Sequence, residues 1–241
     1  DAGQAYFERC VQLLADLDEA EALAGASALR PRGTLRLTCS YFMGIHRIAP
    51  AIARFVARHP EVHFDVNVSD RVVDLVEEGY DLAVRVGGAG SDQLVARPLG
   101  RAHLWLAAAP AYLEARGRPK VPEDLADHLL LSYANAPQAR IWRLAGPGGA
   151  VREVAVRGPL HANSGEVLSA AAAAGLGVGF EPDFMIRPLI ATGALERVLP
   201  DWSSPASDIL AVYPSRRHLS AKVRLFIEHL QAEFAADALH Q

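Results

Sequence analysis

The sequence predicts an α/β protein made of two units of comparable size. Three observations carry the prediction: strand-period and helix-period patterns alternate as βαβαβ between Thr34 and Val86, the alternation restarts at His103, and no low-complexity linker or fixed-period repeat separates the halves. The composition allows it, since 241 residues with 51% hydrophobic content can bury roughly 70% of the unfolded surface in one large or two smaller cores.

Residues 4–28 read as one helix, with a seam of Phe7, Cys10, Leu14, Leu17 and Ala24 that Glu21 interrupts. So narrow a stripe either folds back on its own domain or pairs with the same helix of a second subunit. Pro31 and Gly33 end it. Thr34 to Cys39 follows as a strand, and Ile45, Ile48, Ile52, Phe55 and Val56 mark one face of a helix running to about Arg58. Val62, Phe64, Val66 and Val68 alternate with polar residues in a second strand, and Val72, Val73, Leu75 and Val76 predict a short second helix closed by Gly79. Leu82, Val84 and Val86 make the third strand. Right-handed crossovers place such consecutive strands parallel, with helices on both faces and ligands at the strands' carboxyl ends.

In the second unit His103 to Ala109 is a strand, a short helix surrounds Tyr112, Pro119 and Pro122 mark a loop, and Leu129 to Tyr133 is another strand. Ile141 to Leu144 and Val151 to Val156 flank Ala145-Gly146-Pro147-Gly148-Gly149, an antiparallel hairpin with a loose tip. Leu160 to Ala162 leads into a helix from about Ser164 to Ala174, capped by Gly175, before a strand from Leu176 to Phe180. A further helix follows Pro182, Ile209 to Val212 is the last strand, and Ser220 to Ala236 is a closing amphipathic helix with Val223, Phe226, Ile227 and Leu230 on one side. Two units imply a cleft.

The charge sum excludes some functions. Lys and Arg number 24 against 28 Asp and Glu, a net of −4, so the chain as a whole has no electrostatic reason to bind a polyanion and contact with DNA calls for a separate module. The longest strongly apolar stretch, Val167 to Phe180, is shorter than the roughly 20 residues of a membrane span. Asp1 to Arg9 has neither the basic start nor the apolar core of an export signal, and Cys10 and Cys39 sit in unlike patterns, so a reducing cytoplasm is the expected home. The chain opens on Asp1 inside a helical pattern, as part of a longer polypeptide would.

No metal or cofactor is expected. The closest histidine pair, His59 and His63, is split by Pro60, and Gly175, Gly177 and Gly179 follow a helix into a strand, the reverse of a phosphate-cradling order. Cys39 in a strand reads as inert core, and Ser164-Gly165-Glu166 lacks the glycines of a nucleophile elbow, so no enzyme signature stands out. Binding is better served. Ser40 and Tyr41 end the first strand, and Asn163 and Ser164 end a strand of the second unit, each just before a helix whose N-terminal amides and partial positive charge suit a carboxylate. Ordinary helix capping needs the same residues, and Ser69 before the second helix fits either account.

The chain also resembles the effector-sensing domain of LysR-type transcriptional regulators. The resemblance rests on Pro31-Arg32-Gly33-Thr34-Leu35-Arg36-Leu37, on Ile48-Ala49-Pro50 through His59-Pro60-Glu61-Val62, and on the run from Asp70-Arg71-Val72 through Tyr80-Asp81-Leu82-Ala83-Val84-Arg85-Val86-Gly87. Leu94 to Leu99, Ala108 to Leu113, Ala174 to Val178 and Val212 to Ser220 follow in the same order. It implies an α/β fold of two Rossmann-like lobes of the periplasmic-binding-protein type, preceded by a linker helix. Residues 1–30 would be the dimerising linker, 31–102 with 214–241 lobe I, and 103–213 lobe II, with the family's winged helix-turn-helix absent.

The implied function is to bind a small effector in the inter-lobe cleft, without chemistry, and so control transcription from a homodimer or homotetramer in the cytoplasm. DNA contact would come only through the missing domain, and no membrane partner is implied. Carried over by position, the effector site takes Ser40, Tyr41 and Phe42, then Ser69, then Val86 and Gly87; from lobe II come Asn163 and Ser164, with Phe180 and Glu181 closing the far side. The serines and Asn163 would hydrogen-bond a polar ligand, Tyr41, Phe42 and Phe180 would supply apolar walls, and Glu181 disfavours an anion beside it. The thiol pair of peroxide-sensing members is not reproduced by Cys10 and Cys39. Two rivals fit the cleft: a transporter's solute-binding protein, which needs export, and a small α/β enzyme, which needs an acid, base or nucleophile there.

Overall fold

The computed structural model describes residues 30–71, 73–87, 93–136, 139–215 and 219–238, together with Gly3, Tyr6 and Cys10. The helix expected over residues 4–28 therefore lies outside the described residues. The chain divides into two compact units, Asp1–Gly100 with Ile209–Gln241, and Arg101–Asp208. Among the described residues no helix is long and apolar enough to cross a membrane.

The first unit is built on a five-stranded sheet of order β2-β1-β3-β12-β4, from β1 (Gly33–Cys39), β2 (Val62–Val68), β3 (Leu82–Val86), β4 (Leu94–Ala102) and β12 (Ser207–Pro214). Strands β1, β2 and β3 run parallel, with Leu37 opposite both Val66 and Leu82. Leu35, Leu37, Cys39, Leu82 and Val84 are fully buried, as the centre of a covered parallel sheet requires. The sheet is mixed, because β12 pairs antiparallel with β3 in the register Ile209 to Val86.

Helix α1 covers β1 and β2 as one helical run of three segments, Tyr41–Met43, a π-helical Gly44–Ile48, and Ala49–Val56. The π segment changes the expected face. Met43, Ile48 and Phe55 are buried as an inward stripe, but Ile45 is 58% exposed, since a wider turn rotates the helix out of the 3.6-residue register. The helix N-terminus lies close to the sheet: a Cβ on Gly44 would stand 2.5 Å from Val68 Cγ1 and 3.3 Å from Cys39 Sγ.

The helix expected over Val72 to Val76 shrinks to a single turn; Val72 itself lies outside the described residues. Asp74 Oδ1 accepts from the amides of Val76 at 2.9 Å and Glu77 at 3.0 Å, and the turn closes when the Tyr80 amide donates to the Leu75 carbonyl at 2.9 Å with Gly79 at φ 68°. So short a segment cannot repay helix nucleation, and its stability comes from Leu75, buried with Tyr80, Ala83 and Val212.

Helix α5 (Ala221–Ala238) closes the unit with Val223, Phe226, Ile227 and Leu230 buried. Phe226 meets Phe55 at 5.1 Å and Phe64 at 4.8 Å, both edge-on. His229 Nε2–H donates to the Ala51 carbonyl at 3.0 Å, and Arg54 forms a two-pronged pair with Glu233. That pair holds the Glu233 carboxyl below the usual carboxylate range.

In the second unit, β5 (Leu104–Ala108) is the centre of an antiparallel sheet of order β10-β5-β11, with β10 at Gly179–Pro182 and β11 at Glu196–Val198. Leu106, Phe180 and Val198 share the inner face and join a core with Leu113, Leu125, Leu130, Trp142, Leu144 and Val178. Helix α2 (Pro110–Arg116) packs through Tyr112 and Leu113, whose neighbours include that core. Strands β7 (Ile141–Ala145) and β8 (Val151–Ala155) form the expected hairpin. Strands β6 (Ser132–Tyr133) and β9 (His161–Ala162) pair in parallel, and a lone bridge joins Leu130 to Val178, so the expected strands at 129–133 and 176–180 are shorter and shifted.

Helix α3 (Gly165–Ala173) ends at Gly175, φ 83°, where the Leu176 amide donates to the Ala171 carbonyl at 3.0 Å. Helix α4 (Asp183–Ala191) follows β10.

Candidate functional site

In the first unit the parallel register brings the carboxyl ends of three strands side by side, since Cys39 lies opposite both Val68 and Val84. Ser40, Tyr41, Ser69, Val86 and Gly87 therefore belong to one end of the sheet. Ser40 is extended at φ −67°, ψ 159°, and its carbonyl accepts from the Gly44 amide at 2.8 Å, but its hydroxyl makes no capping bond. Asp70 does that work instead: its Oδ1 accepts from the Tyr41 amide at 3.3 Å, placing a carboxylate at the positive end of α1.

Ser69 precedes no regular helix. Its amide donates to the Cys39 carbonyl at 2.8 Å and its hydroxyl accepts from the Arg71 amide at 3.2 Å, a local turn. Tyr41 is 49% exposed, whereas Phe42 is half-buried and stacks on His46 at 4.2 Å. Gly87 takes φ 99°, a left-handed conformation that a side chain would strain.

Arg85 ties the three strand ends together. From β3 it donates to the buried Thr38 hydroxyl at 2.9 Å and to the Ser69 carbonyl at 3.0 Å. Sequence reasoning did not single out Thr38, Asp70 or Arg85. The signal for Arg85 was a lone charge in the apolar run Leu82-Ala83-Val84-Arg85-Val86; Asp70 carried none, because its partner amide is far away in the chain.

Burial, partly offset by the Arg85 charge and aided by a smaller push from Asp70, raises the Cys39 thiol to about 11. In a Cys10→Ser variant the remaining thiol is expected to resist a thiol reagent at about pH 8 until the protein unfolds, where an ordinary thiol is partly ionised. The sign of the pH effect follows: as pH rises from 9.0 towards 11 the unfolded thiol ionises while the folded one keeps its proton, so this group lowers stability across that window. Urea titrations of Cys10→Ser with and without Cys39→Ala measure the difference, and identical alkaline limbs would contradict it.

In the second unit Asn163 and Ser164 follow β9. Asn163 is exposed, and Ser164 caps α3 by accepting from the Val167 amide at 3.5 Å while its hydroxyl donates to Glu166 Oε2 at 2.9 Å. Below, Ser132 donates to the Ala139 carbonyl at 2.6 Å, so its contact with His161 at 2.9 Å requires the proton on His161 Nδ1. Gly165 leaves room for its neighbours: a Cβ there would stand 2.8 Å from Met185 Cε and 3.1 Å from Glu181 Oε2.

Glu181 is only 4% exposed and lies beside Gly165. Phe180 is placed differently from expectation. It alternates to the inner face of the sheet, packs on Trp142 at 5.1 Å and belongs to the core, so it is not an exposed apolar wall. Among the described residues no group of three or more His, Cys, Asp or Glu side chains could hold a metal ion.

Residues 28–235 match the family described as the LysR substrate binding domain. An uncharacterized HTH-type transcriptional regulator of Haemophilus influenzae is 36% identical over 223 residues, covering 92% of this chain and 77% of its own. Among solved structures, the regulatory domain of AphB in Vibrio vulnificus is similar at 33% identity and a TM-score of 0.66, over 83% of this chain and 98% of that one. CrgA, a LysR-type transcriptional regulator from Neisseria meningitidis, is similar at 28% identity and a TM-score of 0.76, over 97% of this chain and 79% of that one.

Proposed function

The chain belongs to the LysR substrate-binding domain family of transcriptional regulators, and from that premise we propose that it senses a small metabolite. The residues assigned to that task are Ser40, Tyr41, Phe42, Ser69, Val86 and Gly87 in the first unit, with Asn163, Ser164 and Glu181 in the second. Phe180 supports them from the core. One observation carries the reading: three parallel strands end in register, and their polar groups are organised by Arg85 and Asp70 at the place where open α/β sheets take ligands.

The ligand is held and released unchanged. It acts by favouring one of two conformations of the chain, and only a difference in affinity between those conformations can shift their populations. DNA contact is assigned to a winged helix-turn-helix outside these 241 residues; the net charge of −4 and the helix-turn-helix naming of the relatives support this. Residues 1–30 are assigned to pairing with a second copy, as a homodimer or homotetramer, in the cytoplasm.

A thermal-shift screen of metabolites tests the reading. A binder at 100 times its Kd adds about 2.7 kcal/mol of stability, and the gain is expected to shrink in Ser40→Ala, whose own melting is little changed, and in Ser164→Ala when read against that variant's own melting, because losing the α3 cap itself costs about 1 kcal/mol. Conversion of a hit into product would support the enzyme rival instead.

A further inference from the structure

The outer face of the β10-β5-β11 sheet carries charges that the strand-end reading does not use. Opposite residues of paired strands share a face, so Trp105, Ala107, Glu181 and Arg197 stand together, turned away from the core side of Leu106, Phe180 and Val198. Two guanidinium groups converge there on one indole. Arg197 Cζ lies 3.9 Å from the centre of the Trp105 ring, and Arg187 Cζ, reaching in from α4, lies 4.7 Å from it.

The two cations are provided for unequally. Arg187 donates to Oδ2 of the buried Asp183 at 2.7 Å. Arg197 forms no ion pair or hydrogen bond with any of the described residues, although it is half-buried and its Nε is shut off from solvent. Glu181, on the same face, sits beside Gly165 instead. Stacking leaves the need unmet, because it uses the flat face of a guanidinium while the N–H donors point outward in its plane. Burial, and then the charge of Arg187, hold the Arg197 guanidinium below its ordinary range, with Asp183 and Asp201 offsetting them only in part. A half-buried cation with unpaired donors and a second cation for a neighbour is costly until an anion joins it.

We propose that Arg197 binds a small oxyanion on this face, with Arg187 as the second cation that attracts it. The guanidinium edge takes two oxygens side by side, a fork that carboxylates and phosphates both match, and Trp105 holds its plane in place. Arg187 stays on Asp183 and contributes charge. The site lies within the Arg101–Asp208 unit and is independent of the strand-end reading.

The test titrates the whole chain with inorganic phosphate and, separately, with acetate, chloride keeping the ionic strength constant, and follows arginine Nε–H and tryptophan indole N–H signals in ¹H–¹⁵N spectra. The Arg197 and Trp105 signals are expected to shift saturably with at least one oxyanion, and the tighter of the two tells phosphate from carboxylate recognition. Arg197→Gln is expected to abolish the Trp105 response, and Arg197→Lys, which keeps the charge and loses the fork, to weaken binding about tenfold. Arg152→Gln, which removes an exposed cation elsewhere on this unit, and Ser40→Ala are expected to leave the response unchanged. The proposal is overturned if neither oxyanion shifts these two signals saturably, if chloride alone reproduces the shifts, if the Trp105 response survives Arg197→Gln, or if Arg197→Lys binds as tightly as the parent.

Discussion

Gly177→Ala is expected to lower stability by about 3 kcal/mol, a fall in Tm of roughly 6–12 °C. The added Cβ would collide with the Leu129 carbonyl oxygen and lie 3.0 Å from its carbonyl carbon. That oxygen cannot retreat, because it accepts the Val178 amide at 2.8 Å, while the Val178 carbonyl accepts the Leu131 amide at 2.9 Å. Leu130 and Val178 are buried in the core of the second unit, so relief of the clash must break the bridge or open the packing. Gly179→Ala is the control, since its Cβ would meet Ala172 Cβ at an ordinary 3.6 Å. Thermal denaturation of the two variants distinguishes close packing from a general intolerance of side chains in this strand. Equal melting temperatures would contradict the account.

Arg85→Met is expected to have the larger effect on ligand binding. It removes the donors to Thr38 Oγ1 and the Ser69 carbonyl, leaving a fully buried hydroxyl without that partner and freeing the chain after β2. Stability should fall by about 1–3 kcal/mol, and affinity for any hit of the metabolite screen should fall further than that loss of folding alone explains. Arg85→Lys is expected to recover little, because a single ammonium cannot span two acceptors as a guanidinium does. The Cys39 thiol supplies a second readout. Arg85 pulls its pKa down, so the Met variant should hold its proton to still higher pH. Binding unchanged in Arg85→Met would show that the strand ends do not need to be held together.

Much of this organisation was written locally. Strand β1, the cap at Ser164, the stop at Gly175 and the buried stripe of α5 follow from periodicity and capping chemistry that act within a few residues. What could not be read depends on partners distant in the chain or on departures from ideal geometry. The π segment turns Ile45 outward although its spacing matches a buried stripe. Strand β4 contains Arg97, Pro98 and Arg101, which break the apolar alternation, and β11 is three residues long. Neither has a signal of its own, and both are made strands by the sheets they join.

The candidate site divides in the same way. Ser40, Asn163 and Ser164 announce themselves as polar residues between a strand and a helix, and their positions could be named from sequence. The groups that organise them could not. Asp70 reaches the Tyr41 amide across 29 residues, and Arg85 reaches Thr38 across 47. Phe180 had the right composition for a wall and the wrong parity: strand alternation places it beside Trp142 and turns Glu181 to the other face.

The most direct measurement is a map of amide shifts in ¹H–¹⁵N spectra of the isotopically labelled chain, titrated with the best compound from the metabolite screen. Saturable shifts are expected at Ser40, Tyr41, Phe42, Ser69 and Gly87 and at Asn163 and Ser164, with the compound recovered unaltered afterwards. Shifts that saturate while these amides stay still, or a compound chemically changed at the end of the titration, would contradict the assignment of the strand ends as a metabolite sensor.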